Sequence, residues 1–139
     1  MRLLRYVVIL SAAAMAVSVS AGAAEARGYT GAWPVTVSRS HHSDGTYCLT
    51  LTDNGSYGWR HSGSASLVIG SQKFPYGSFQ VINGTLIATI QAQGYGQNAG
   101  LVFVGSASRG NLGPGVFEDV YGGSDFDSGA LAFGMRGGC

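Results

Sequence analysis

Apolar and polar residues alternate with a period of two along most of the chain after residue 26. Trp33, Val35 and Val37 alternate with Pro34, Thr36 and Ser38, and Tyr47, Leu49 and Leu51 with Cys48, Thr50 and Thr52. Phe79 and Val81 alternate with Ser78 and Gln80. Leu86, Ala88, Ile90 and Ala92 alternate with Ile87, Thr89, Gln91 and Gln93. A period of two puts one set of side chains on each face of a sheet. No apolar repeat at helical spacing runs for more than about a turn. The pattern predicts strands near 31–39, 46–53, 56–60, 65–71, 77–83, 85–93, 100–107 and 115–121, with a further one at 129–136. Leu49, Leu51, Phe79, Val81, Leu86, Ile90, Leu101 and Phe103 are the expected buried face. The run from Leu101 to Val104 is apolar on both sides, which predicts cover or contact on both faces.

The boundaries carry specific turn chemistry. Asn54-Gly55 and Asn83-Gly84 are hairpin signals, because both residue types accept the positive φ of a type I′ turn. Asp44-Gly45 is a third signal of this kind. Both Asn-Gly pairs open an N-x-S/T sequence, which turn chemistry explains without glycosylation. Gly113-Pro114-Gly115 reads as a strand breaker, and the stretch 122–129 reads as a loop. Short strands with short connections predict an all-β single domain, an antiparallel meander barrel of about eight strands; the alternative architecture is a β-sandwich. Closure is favoured because few charged or proline residues guard the strand edges.

The first 26 residues are different. Arg2 and Arg5 precede an uncharged, mostly apolar run over 6–19, followed by Ala21-Gly22-Ala23 and Ala24-Glu25-Ala26. This order of charge, apolar core and small-residue site is that of a secretory signal peptide, cleaved after Ala23 or Ala26. The apolar run is shorter than the roughly 20 residues of a spanning helix, so no transmembrane anchor is expected. Residues 27–139 then form the folded domain, in a secreted or periplasmic protein. Export makes an even cysteine count meaningful. Cys48 and Cys139, the latter preceded by two glycines, are expected to form a disulfide.

Charge narrows the partners. In residues 27–139, Arg27, Arg39, Arg60, Lys73, Arg109 and Arg136 balance Asp44, Asp53, Glu118, Asp119, Asp125 and Asp127. A nucleic-acid binder carries a basic excess, which is absent. Catalytic signatures are missing too. Gly63-Ser64-Ala65-Ser66 lacks the second glycine of a nucleophile elbow. Gly94-Tyr95-Gly96 has no P-loop lysine, and Glu118 and Asp119 are strand neighbours that face apart. His41, His42, Asp44 and His61 fall short of a zinc site, and Asp125-x-Asp127 lacks the spacing of a calcium loop. No cofactor is called for.

Aromatic residues with polar tips are the remaining candidates. Trp33, Tyr57, Trp59, Tyr76 and Tyr95 sit in or beside glycine-rich segments, with Arg60 as a polar anchor; such side chains line small-molecule sites and also fill barrel interiors. Gly31-x-Trp33 resembles the G-x-W of lipocalins and related calycin barrels, a resemblance that implies a Trp packed across the barrel floor. The expected function is therefore non-enzymatic binding. It would use a small apolar or aromatic ligand in a barrel mouth, or a loop offered to a protein partner as secreted inhibitors do. A surface assembly subunit and a hydrolase are the alternatives. Long exposed strand edges would mark the first, and a cleft joining a His to Ser or Asp the second.

Overall fold

A computed structural model describes residues 28–39, 45–57, 60–92, 100–121 and 125–139. The expected signal peptide at 1–26, His41, His42, Asp44, Trp59, Tyr95 and the stretch 122–124 lie outside the described residues. Among the described residues there are nine strands: β1 (Gly31–Arg39), β2 (Gly45–Tyr57), β3 (Arg60–Ile69), β4 (Gln72–Phe74), β5 (Gly77–Ile82), β6 (Thr85–Gln91), β7 (Gly100–Ser108), β8 (Asn111–Tyr121) and β9 (Asp125–Phe133). All pairings are antiparallel. The order β2-β1-β9-β8-β7-β6-β5-β3 closes on itself through β2–β3, giving an eight-stranded barrel to which β4 is added on the edge of β3. The predicted meander barrel is the observed fold.

Alternation decides what is inside. In β6, Leu86, Ala88 and Ile90 point inward while Thr85, Ile87, Thr89 and Gln91 point out. Every residue of the expected buried face is buried: Leu49, Leu51, Phe79, Val81, Leu86, Ile90, Leu101 and Phe103. Phe103 and Phe117 touch at 5.1 Å between ring centroids, and Tyr47 meets Phe117 edge-on at 6.0 Å. These rings, with Leu67, Val35 and Val37, fill the described interior with side chains. In the doubly apolar run, Leu101 and Phe103 enter the core and Val102 and Val104 stay half-buried on the outer wall.

Turn chemistry separates two identical dipeptides. Asn83 (φ 51°) and Gly84 (φ 76°) form the predicted β5–β6 turn with positive φ at both positions. Asn54-Gly55 makes no hairpin. Asp53 pairs with Gly63 and Ser56 with His61, so one extra residue is accommodated on β2 as a bulge and the ladder continues. The Asp53 carboxylate holds the bulge by accepting the Gly55 amide at 2.9 Å. The strands expected at 56–60 and 65–71 are therefore the end of β2 and the body of β3, with the short β4 added beyond Gly70.

Two further expectations are corrected. Gly113-Pro114-Gly115 lies inside β8, where Gly105 pairs with Gly115 and Ala107 with Leu112, so the spare residue forms a bulge opposite β7. A bulge needs no ladder hydrogen bond from the proline nitrogen. Residues 125–129, expected in a loop, form the first half of β9, paired from Tyr121↔Asp125 through Gly115↔Leu131.

The closing strand leads into the disulfide. After β9 the chain crosses the outer side of β1, with the Gly134 amide on the Pro34 carbonyl (2.7 Å) and the Gly137 amide on that of Ala32 (2.6 Å). It ends at the Cys48–Cys139 disulfide, with 6.1 Å between Cα atoms. The expected bridge is thus present, and it straps β9 over β1 to β2.

Candidate functional site

The strand directions give the barrel two unlike ends. At the floor lie the segment 28–30, the end of β2 and the start of β3, the two-residue turns at 83–84 and 109–110, and the segment after β9. The turn at 70–71, the ends of β1, β6 and β8 and the starts of β2, β7 and β9 lie at the other end.

The floor is assembled around two side chains. Arg136 stacks over the Trp33 ring, its guanidinium carbon 4.9 Å from the ring centroid. Its Nη atoms donate to the carbonyls of Gly28 (2.9 Å), Thr30 (3.3 Å) and Gly110. A Cβ at Gly31 would sit 2.7 Å from Arg136 Cγ, so the glycine of the G-x-W triplet makes room for this clamp. Trp33 is buried beneath it, its indole N–H donating to the Tyr29 carbonyl at 3.1 Å. It packs into the core at the barrel floor.

Asp53, at the β2 bulge, is the second organiser. One carboxylate oxygen accepts the Gly55 amide. The other accepts the Tyr29 amide at 3.1 Å and lies 2.7 Å from His61 Nδ1. The Asp53 amide in turn donates to the Thr30 hydroxyl at 2.9 Å. A carboxylate can only accept here, so the His61 proton sits on Nδ1 and Nε2 is the ring's remaining polar atom. Tyr29 packs edge-on against His61 at 5.1 Å. Burial pushes the Tyr29 hydroxyl above its ordinary pKa of 10.0; a Gly110 backbone hydrogen bond opposes this, the Asp53 charge adds to it and Arg136 counters it.

Outside this corner, against the bulge, is an open cleft of about 570 Å³. Asn54, Arg60, His61, Ser62, Gln80 and Ile82 line it. Its walls belong to β2, β3 and β5, held rigid by the ladder that pairs His61 with Val81 and Ser62 with Gln80. A second open cleft, of about 460 Å³, lies on the outer wall around Tyr76, Ser64, Ser78 and Thr89.

The sequence-derived candidates do not converge. Trp33 is in the packed floor, Arg60 lines the first cleft, and Tyr76 lines the second toward the other end. Tyr57 ends β2 next to the first cleft, with its side chain outside the described part, as are Trp59 and Tyr95. Sequence reasoning missed Asp53 and His61 as a pair, and Arg136 altogether.

At the opposite end, Asp119 and Asp127 are a cross-strand pair buried on the inner face of β8 and β9, and Asp119 Oδ1 accepts the Asp127 amide at 3.0 Å. Glu118 faces out, as alternation requires. Among the described residues no group of three or more His, Cys, Asp or Glu side chains could hold a metal ion, and no helix is long and apolar enough to cross a membrane. No family model, curated protein or solved structure matches the chain.

Proposed function

We propose that the protein is an exported, non-enzymatic binding protein that takes a small ligand in the cleft outside the β2 bulge. The observation that carries this reading is where space is left. Side chains occupy the described barrel interior, whereas about 570 Å³ lies open beside Arg60, in the size range of small-molecule sites. The site is moved from the barrel mouth to the outer wall, and its lining is polar rather than aromatic. Export is supported by the charged, apolar and small-residue order of residues 1–26 and by the Cys48–Cys139 bridge, which suits an oxidising compartment.

The Asp53–His61 pair beside a cleft is also the arrangement a hydrolase uses to orient a base. Two features favour a positioning role. Asp53 is committed to the amides of Tyr29 and Gly55, and Ser62, the next residue in the strand, faces away from His61. A second binding reading rests on the uneven ends: two-residue turns at 83–84 and 109–110 join strands at one end, whereas β1, β6 and β8 run out at the other, with three to eight residues of sequence before the next strand. That is the layout of a scaffold offering loops to a protein partner.

A small-molecule panel screened against the 27–139 protein, with hits mapped by amide chemical shifts, tests the first reading. Hits are expected to move Asn54, Ser62 and Gln80. A panel whose hits all map elsewhere, or that yields none, refutes it.

A further inference from the structure

We infer that the outer wall of β3, β5 and β6 carries a second binding site, for an uncharged saccharide, with Tyr76 as the surface on which a sugar ring stacks. The site is the cleft of about 460 Å³ lined by Ser64, Tyr76, Ser78, Thr89 and Gln91, apart from the cleft beside the β2 bulge. Tyr76 is 55% exposed and offers a large apolar ring face to solvent. A pyranose has a flat face of ring C–H bonds and a rim of hydroxyls, so it fits an aromatic face with polar groups set around it.

The groups around Tyr76 match that rim. Ser64 pairs with Ser78, and Ser78 with Thr89, so three hydroxyls stand abreast on the outer face of β3, β5 and β6. Thr52, opposite Ser64 on β2, extends the row. Neighbouring strands lie about 4.8 Å apart, so one ring can reach hydroxyls from two of them. Each hydroxyl donates and accepts, and the Gln91 amide does both as well. Sugar hydroxyls have the same double character, so the partners are matched without any charge. Among the described residues lining this cleft there is no Asp, Glu, Lys or Arg, and nothing there pairs the charge of an ionic ligand.

The strands hold the stacking surface in place. The Gln91 amide donates to the Tyr76 carbonyl at 2.8 Å, which ties the bend between β4 and β5 to the end of β6. Gly77 pairs with Ile90, and a Cβ there would sit 2.6 Å from both the Thr89 carbonyl oxygen and Ile90 Cδ1. A side chain at Gly77 would therefore force β5 and β6 apart. On the other side of Tyr76, the Pro75 ring fixes its own φ. A ring platform anchored in this way loses little freedom when a ligand settles on it.

The test is an amide-shift titration of the ¹⁵N-labelled 27–139 protein with neutral tetrasaccharides of glucose, galactose, mannose and N-acetylglucosamine. Glycerol serves as a control with hydroxyls alone, and benzyl alcohol as a control for ring stacking alone. At least one tetrasaccharide is expected to shift the Ser64, Ser78 and Gln91 amides saturably. Tyr76→Ala should weaken that binding by about three- to tenfold, the size of one lost aromatic contact. Tyr76→Phe should keep most of it, because the ring face remains. Both variants are read against an unchanged thermal melt, as expected for an exposed side chain. Binding left intact by Tyr76→Ala overturns the inference, as does glycerol or benzyl alcohol binding these amides as tightly as the best tetrasaccharide. Saccharide shifts centred on Asn54 instead would assign the sugar to the cleft beside the bulge and overturn this site. Failure of every tetrasaccharide to shift the Ser64, Ser78 and Gln91 amides overturns it too, and leaves the cleft beside the bulge to its own test.

Discussion

Replacing Arg136 with Met keeps much of the aliphatic stem and removes the guanidinium. Two part-buried carbonyls, of Gly28 and Gly110, then lose a charged donor, and the Thr30 carbonyl loses an exposed one. Hydrogen bonds to charged groups contribute roughly 1.5–3 kcal/mol each when shielded, and exposed ones much less. Stacking on Trp33 at 4.9 Å adds about 0.5–1 kcal/mol. Water reaching the carbonyls recovers part of this, so the expected loss is about 2–4 kcal/mol. With a urea m-value of ~2 kcal/mol/M, the midpoint should fall by roughly 1–2 M with no change in m. Arg136→Lys should lose at least half as much, since an ammonium reaches fewer carbonyls and stacks less well. Hydrogen exchange supplies a local readout: the Trp33 indole N–H, bonded to the Tyr29 carbonyl, should exchange faster in Arg136→Met than global destabilisation alone explains. A loss under about 0.5 kcal/mol, the size of an ordinary surface change, would refute the clamp.

Leu49 is fully buried, and Leu49→Ala should cost about 2–5 kcal/mol by chemical denaturation; under about 0.5 would place it outside the packed core. Reducing the Cys48–Cys139 bridge, which spans 91 residues, should lower stability by up to about 4–5 kcal/mol on the chain-entropy model, and non-reducing mass spectrometry of the protein should find no free thiol and no dimer. Burial raises the Tyr29 pKa above 10.0, so the folded state holds that proton more tightly than the unfolded chain. Its contribution is therefore complete below pH 10.0 and lost as the pH rises through the folded pKa, and Tyr29→Phe should flatten the alkaline limb of a stability–pH curve. An unchanged limb in Tyr29→Phe would assign the loss to other groups.

The barrel was legible because inward positions of a sheet must repeat every second residue, and β1, β2, β5, β6 and β7 keep that repeat cleanly. The disulfide was legible from an even cysteine count together with the expectation of export. The Asn-Gly pairs show where local chemistry stops deciding. At 83–84 it sets the turn, whereas at 54–55 the Asp53 side chain captures the Gly55 amide and the β2–β3 ladder runs on past it. That misreading hid the cleft, because Asp53 and His61 come together only when β2 and β3 are paired on both sides of the bulge. Arg136 leaves no local signal at all. It is a single cation in a glycine-rich segment, and its carbonyl at Gly28 is 108 residues away in the chain.

Around the barrel, neighbouring strands are close in sequence except at one place, where β1 meets β9. Hairpins can form early along the rest of the chain, and that one seam carries the full entropic cost of ring closure. The same seam is where two copies could exchange strands, since β9 of one molecule would satisfy β1 of another with identical pairings. Arg136 and the Cys48–Cys139 strap both span it, one by reaching the segment before β1 and the other by crossing to β2. Together they favour closure within a single molecule. Loss of both would leave the β1–β9 ladder to hold that seam, open to exchange with a second copy.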